Sequence, residues 1–273
     1  MTSTSPPPNF EPPTTTGAPA DAAPLSEVEG PPVRVRLPAS PVRVTYFFLG
    51  LILLTFIGQF VSEQLTGFDL VAAYGEKINE FIAAGEVWRL LTSVFLHGGI
   101  IHLLFNAYAL YVIGRQVETI YGPLRFSLVY LFAGLAGSVA SFLLTPAPSL
   151  GASGALFGLI GADAVFLFRN RKLLGERARR GLQNILFIAL LNFAIGLQGA
   201  FHIDNWAHLG GLIGGLSLSW FIGPLWAFRV DPVPGAQPTI EDQHPLTGAR
   251  WVAVLVFGLI IVALTMLGIM LWR

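Results

Sequence analysis

Seven apolar runs, at about 44–63, 98–117, 125–145, 151–168, 183–200, 206–223 and 251–272, constrain this chain more than any other feature. A helix needs about 20 predominantly apolar residues to cross the hydrocarbon core of a bilayer, and most of the runs meet that length. Charged residues are only 12% of the 273, about half the share an ordinary soluble domain carries. The expected fold class is all-α, a polytopic membrane helical bundle. The fourth run is short, and only Phe201 to Asn205 separate the fifth from the sixth.

The flanking segments divide the chain. Residues 1–43 hold eleven prolines, much Ser, Thr and Ala, and few large apolar side chains. Such a stretch buries too little surface to offset its ordering entropy, so a disordered tail is expected. It is not a secretory signal, because the first apolar run starts only near Val44 and no short charged stretch precedes it. A polar, proline-containing linker, 224–250, sets the last run apart, leaving a six-helix core over 44–223 and an additional transmembrane helix over 251–273. The segment 64–97 is too long for a bare loop, and its amphipathic stretches, Gly75–Ala84 and Val87–Leu96, are expected to form short interfacial helices.

Basic residues set the orientation. With the N-terminus inside, the inner segments hold thirteen of them, including Arg115, Arg125, Arg169, Arg171, Lys172 and Arg177, while the outer segments hold only Lys77, Arg89 and Arg273. That bias places the N-terminus in the cytoplasm. Trp88, Trp206, Trp251 and Trp272 fall near the span ends, where interfacial anchors belong. Sixteen basic residues balance sixteen acidic ones, so no basic surface points to nucleic acid. The absence of cysteine excludes disulfides, thiol catalysis and cysteine-bound metal.

In this orientation the second, fourth and sixth spans all run inward, and their outer ends carry His102 with Asn106, Ser153, and His208. Polar groups at membrane depth face the bundle interior or a water-filled cavity. The chemistry that fits this set is acyl transfer. A serine hydroxyl attacks well only when a positioned base removes its proton, and a neutral His208 can do so and later protonate the leaving amine. The oxyanion needs preorganised donors. His102 and Asn106, four apart on one helix face, and the Ser153 amide, in the unsatisfied first turn of its helix, are candidates.

Each residue has a plainer reading. A serine beside glycine in a membrane helix is commonly a packing device. His97 and His102 are five apart, which does not stack them on one helix face, and no HExxH or carboxylate set accompanies them, so neither metal nor cofactor is expected. The Gly-x-Ser-x-Gly elbow of soluble hydrolases is missing, since position 155 is Ala. Gly154-xxx-Gly158 and Gly211-xxx-Gly215 are faces that let two membrane helices approach closely. Ser153 and His208 can share a proton only if the fourth and sixth spans nearly touch.

Gly151-Ala152-Ser153-Gly154 resembles the GxSG motif of rhomboid intramembrane serine proteases, and the segment from Ala207 to Gly215 resembles their AHxxGxxxG. His102 to Asn106 is similar to the family's HxxxN, Trp88-Arg89 to its WR pair, and Gly114 to Glu118 to its GxxxE. The resemblance spans about 44–223, and a six-plus-one layout occurs in the family. It implies a dyad of Ser153 as nucleophile and His208 as base, and an oxyanion hole from His102, Asn106 and the Ser153 amide. Trp88, Arg89, Gly151, Gly154, Phe157, Gly211 and Gly215 would be structural supports. It also implies transmembrane protein substrates, cleaved near their outer end and entering past the fifth span and the Phe201–Asn205 cap, with Phe105 packing at that entrance. Where many members have Tyr, this chain has Phe157, which keeps the ring on the imidazole and loses the hydroxyl.

Asp163 lies ten residues from Ser153, about 15 Å along a helix, too far for a third triad member; an interhelical or water-mediated hydrogen bond is expected for it. Two other function classes fit less well. A catalytically silent rhomboid-like protein that binds membrane clients typically lacks the Ser or the His. A transporter or channel would want a charged path, and no inverted repeat is visible here. The expected setting is a bacterial inner membrane.

Overall fold

The computed structural model describes residues 38–198, 203–229 and 238–273. The expected disordered tail falls almost wholly outside them, as do Phe201 and His202 of the expected cap and residues 230–237 of the linker. The molecule is an all-α membrane bundle carrying one small β-hairpin. Four of its helical stretches are long and apolar enough to cross a membrane: Val44–Thr66, Ile100–Leu144, Glu176–Leu197 and Ala249–Trp272.

Helix α1 (Val44–Thr66) leads into three short helices, α2 (Leu70–Gly75), α3 (Asn79–Ala83) and α4 (Arg89–Thr92), where short amphipathic helices were expected. Next comes α5 (Ile100–Ala109), which passes through a π-helical turn (Leu110–Gly114) into α6 (Arg115–Leu144). At Gly122 the backbone takes φ 77° and ψ 163°, and Pro123 follows. Proline has no N–H to continue the ladder, so the 45-residue stretch breaks here into two spans, as the two separate runs at 98–117 and 125–145 required. After α6 come α7 (Ser153–Arg169), the short α8 (Arg171–Leu174), α9 (Glu176–Leu197), α10 (Asn205–Ile222) and α11 (Ala249–Trp272).

Helix α7 is the centre of the bundle. Every residue from Gly154 to Phe166 except Ala164 is buried, although the helix has only 17 residues. It packs against α6 and α10, and glycine makes this possible. A Cβ on Gly211 would fall 2.0 Å from the Gly154 carbonyl oxygen, and one on Gly215 would fall 2.1 Å from that of Gly158. The α7 and α10 backbones are therefore in contact, as small-xxx-small faces permit. By contrast, α9 buries only Ala178 and Ala189, and Leu186, Phe187 and Leu190 stand exposed on it, an apolar surface suited to lipid.

Buried polar groups tie the helix ends together. The Glu118 carboxylate accepts hydrogen bonds from the Arg43, Val44 and Thr45 amides at 2.8–2.9 Å, satisfying donors that the first turn of α1 cannot pair internally. Gln59 of α1 accepts from the His97 amide and donates to its carbonyl. Arg89 donates to the Ala73 and Glu76 carbonyls and pairs with Glu86 at 2.7 Å, which folds the α2–α4 segment around one buried guanidinium.

Within the segment read as a linker, the described residues include two short strands. Strands β1 (Trp226–Arg229) and β2 (Thr239–Asp242) pair antiparallel, with Trp226 opposite Asp242. Trp226 is buried edge-on to Phe166 at 4.7 Å, and its amide donates to the Asn170 side chain. The hairpin is thus tied to the end of α7, and Arg125 of α6 adds an ion pair to Asp242 of β2. Helix α11 packs against α6, α10 and α3, and Trp272 Nε1 donates to the Phe142 carbonyl.

Candidate active site

Ser153 opens α7, so its amide belongs to the first turn and has no helical partner. The segment leading to it is pinned. Lys77 and Ser149 exchange backbone hydrogen bonds, Lys77 Nζ donates to the Thr145 and Ala147 carbonyls, and the Gly151 amide donates to the Ser93 carbonyl at 2.9 Å. Gly151 has φ 134°, a region that residues other than glycine rarely enter. A Cβ there would lie 2.7–2.8 Å from Cε1 and Nε2 of His102 and 3.8 Å from Nδ2 of Asn106. The backbone two residues before Ser153 therefore touches one candidate oxyanion donor and approaches the other.

His102 and Asn106 sit one turn apart on α5, and Asn106 Nδ2 donates to the His102 carbonyl at 3.2 Å. His97 lies beside them, its ring 5.2 Å from that of His102 in an edge contact.

His208 occupies the first turn of α10. Asp204 caps that helix by accepting from the Ala207 amide at 2.9 Å, and its other oxygen accepts from the Ser141 hydroxyl of α6. The buried imidazole of His208 stacks on Phe157 at 4.3 Å between ring centres and 17° between planes. Phe157 is one turn past Ser153 on α7, so the stack brings His208 alongside the serine's own helix. Among the described residues, no hydrogen bond joins Ser153 to His208, and Nδ1 of His208 has no partner. Among the described residues, no carboxylate bonds Nδ1 of His208, and the stack on Phe157 fixes the plane of its ring. Catalytic hydrogen bonds are commonly loose in a substrate-free enzyme and tighten on the reacting complex.

Gly154 lies against the Ala207 carbonyl, and Gly211 and Gly215 against α7. Trp88 Nε1 donates to the Tyr74 carbonyl. With Arg89 it belongs to the α2–α4 segment rather than to the cluster of Ser153, His102, Asn106 and His208. Phe105 is largely exposed on α5. Asp163 makes the expected interhelical hydrogen bond, accepting from Gln116 Nε2 of α6 at 2.8 Å.

The chain can now be set beside known proteins. Residues 84–225 match the model of the Rhomboid domain. The chain belongs to the rhomboid family. It is 44% identical over 179 residues to "Rhomboid protease GluP" of Bacillus subtilis (strain 168), covering 66% of this chain and 34% of that protein. It is 38% identical over 178 residues to "RHOMBOID-like protein 1" of Arabidopsis thaliana, 63% of this chain and 45% of that one. With "RHOMBOID-like protein 6, mitochondrial", also of Arabidopsis thaliana, it shares 40% over 142 residues, 52% of this chain and 45% of that protein. The chain thus spans less than half the length of each of these relatives. The rhomboid match begins before α4 and ends just ahead of the hairpin, so it takes in α5, α7 and α10 with their polar groups.

Motif reasoning does not single out Asp204, Ser141 or Lys77. Asp204 carries a signal, since an Asp three residues before an alanine amide at the head of an apolar run is an N-cap pattern. Lys77 and Ser141 carry none, because their partners are distant in sequence.

Proposed function

We propose that this rhomboid-family membrane protein is an intramembrane serine endopeptidase working through Ser153 and His208. The observation that carries the proposal is the meeting of α7 and α10, backbone against backbone, with His208 stacked on Phe157 one turn beyond Ser153. A relative named as a protease supports the same reading.

The reaction runs in two halves. His208 accepts the Ser153 hydroxyl proton as Oγ forms a bond to the scissile carbonyl carbon. The carbonyl oxygen gains the negative charge and is held by His102, Asn106 and the Ser153 amide. The tetrahedral species collapses, the C–N bond breaks, and His208 gives its proton to the leaving amine. Water, deprotonated by His208, then releases the acyl group and restores the serine. The substrate is a transmembrane segment that unwinds near its outer end, because a helical peptide bond is shielded from attack. It enters past α9, with the N-terminus of this chain in the cytoplasm and the site toward the outer face, in a bacterial inner membrane.

A serine-reactive fluorophosphonate tests the assignment. Labelling of the purified protein should map to Ser153 and vanish in both Ser153→Ala and His208→Ala. Labelling that persists in either variant would rule the dyad out. A client-binding role without catalysis predicts no labelling in the wild type.

A further inference from the structure

We infer that Phe193, on α9, is a positioning residue for the imidazole of His208, an inference that rests on the dyad proposed above. The ring of Phe193 stands crosswise to both members of the stack that sets the imidazole plane. It lies 5.5 Å from Phe157 at 64° and 6.4 Å from His208 at 76°. A parallel stack resists tilting of the imidazole but resists sliding poorly. A third ring set edge-on, the arrangement that aromatic quadrupoles favour, blocks the slide.

The backbone of the same residue is attached to the helix of the base. The Phe193 carbonyl accepts from Asn205 Nδ2 at 3.3 Å, and Asn205 is three residues ahead of His208. Gly196 makes room for this contact, since a Cβ there would fall 2.1 Å from Asn205 Oδ1. Among the described residues, this is the one side-chain hydrogen bond from another long helix to α9. A helix that is otherwise loosely packed, and whose outward face is apolar, is therefore fastened at the residue that touches the base. The imidazole is held best when α9 is seated. Proton transfer should thus be fastest once α9 has returned to its place beside the bound segment.

The test uses the full chain and a small water-soluble fluorophosphonate, which reports acylation of Ser153 without requiring a transmembrane substrate to pass α9. Phe193→Leu fills much of the space without a ring, and Phe193→Tyr keeps the ring. Labelling should slow about 3- to 10-fold in Phe193→Leu and Phe193→Ala, the size of effect expected of an aromatic contact, and stay within about twofold of wild type in Phe193→Tyr. Melting temperatures of Phe193→Leu and Phe193→Tyr, measured alongside, should agree with each other. A wild-type rate in Phe193→Leu would show that the ring is immaterial. Faster labelling in Phe193→Ala would make it a plug instead, and equal slowing in Leu and Tyr would point to packing volume alone. Each of these overturns the inference while leaving the dyad standing. Failure of the wild type to label would remove the dyad, and this inference with it.

Discussion

A methyl group at position 151 would meet the His102 imidazole at 2.7 Å, on a backbone already at φ 134°. Gly151→Ala should therefore push His102 away from where an oxyanion donor is needed. The predicted cost is about 100-fold in fluorophosphonate labelling, the usual size for loss of one such donor. A wild-type rate would separate His102 from the chemistry. Lys77 offers a different test. Burial lowers its pKa from 10.5 to about 8, so between those values the unfolded chain binds the proton that the folded chain has lost. Stability should rise with pH across that window, and Lys77→Met should flatten the rise in melting temperature. At this scale the placement of Ser153, His208, His102 and Asn106 on α7, α10 and α5 was legible from the apolar runs, while their catalytic roles are what is proposed. Phe193 and Asn205 were not legible, because their contact depends on how α9 crosses α10.

Among the elements, the α7–α10 contact has the closest packing. Gly215→Ala would place a Cβ 2.1 Å from the Gly158 carbonyl oxygen. The two helices must then part, at a cost of about 1–3 kcal/mol for overpacking, and His208 moves with α10. Both the melting temperature and labelling should fall, whereas Gly50→Ala, with open space around it, should change neither. The three amide bonds to Glu118 hold the start of α1 to α6. Hydrogen bonds to an ionised acceptor are worth about 1.5–3 kcal/mol each, so Glu118→Ala should lower stability by at least about that much in chemical denaturation. The helices themselves were legible from apolar run length, and the break near Gly122 from the gap between the runs at 98–117 and 125–145. The β1–β2 hairpin was not, since four-residue strands carry almost no period and Trp226 is held by Phe166 and Asn170 at the end of α7.

For the molecule as a whole, α11 packs beside α6, α10 and α3, while α9 packs chiefly on α7, with lesser contact to α8 and α10. The added helix is thus packed as a brace on the core. Removing residues 249–273 should lower the melting temperature yet leave labelling of Ser153 within about threefold at low temperature, since α11 braces the bundle away from the dyad and local order there can outlast its loss. The all-α membrane bundle was legible from the apolar runs, and the rhomboid match over 84–225 takes in every motif from Trp88 to Gly215. The account stands most directly on one measurement: cleavage of single-pass transmembrane substrates by the purified protein in liposomes. Wild type should cut near the outer end of at least one helix-destabilised substrate, and Ser153→Ala and His208→Ala should leave it whole. Cleavage that continues unchanged in both variants would contradict the central claim.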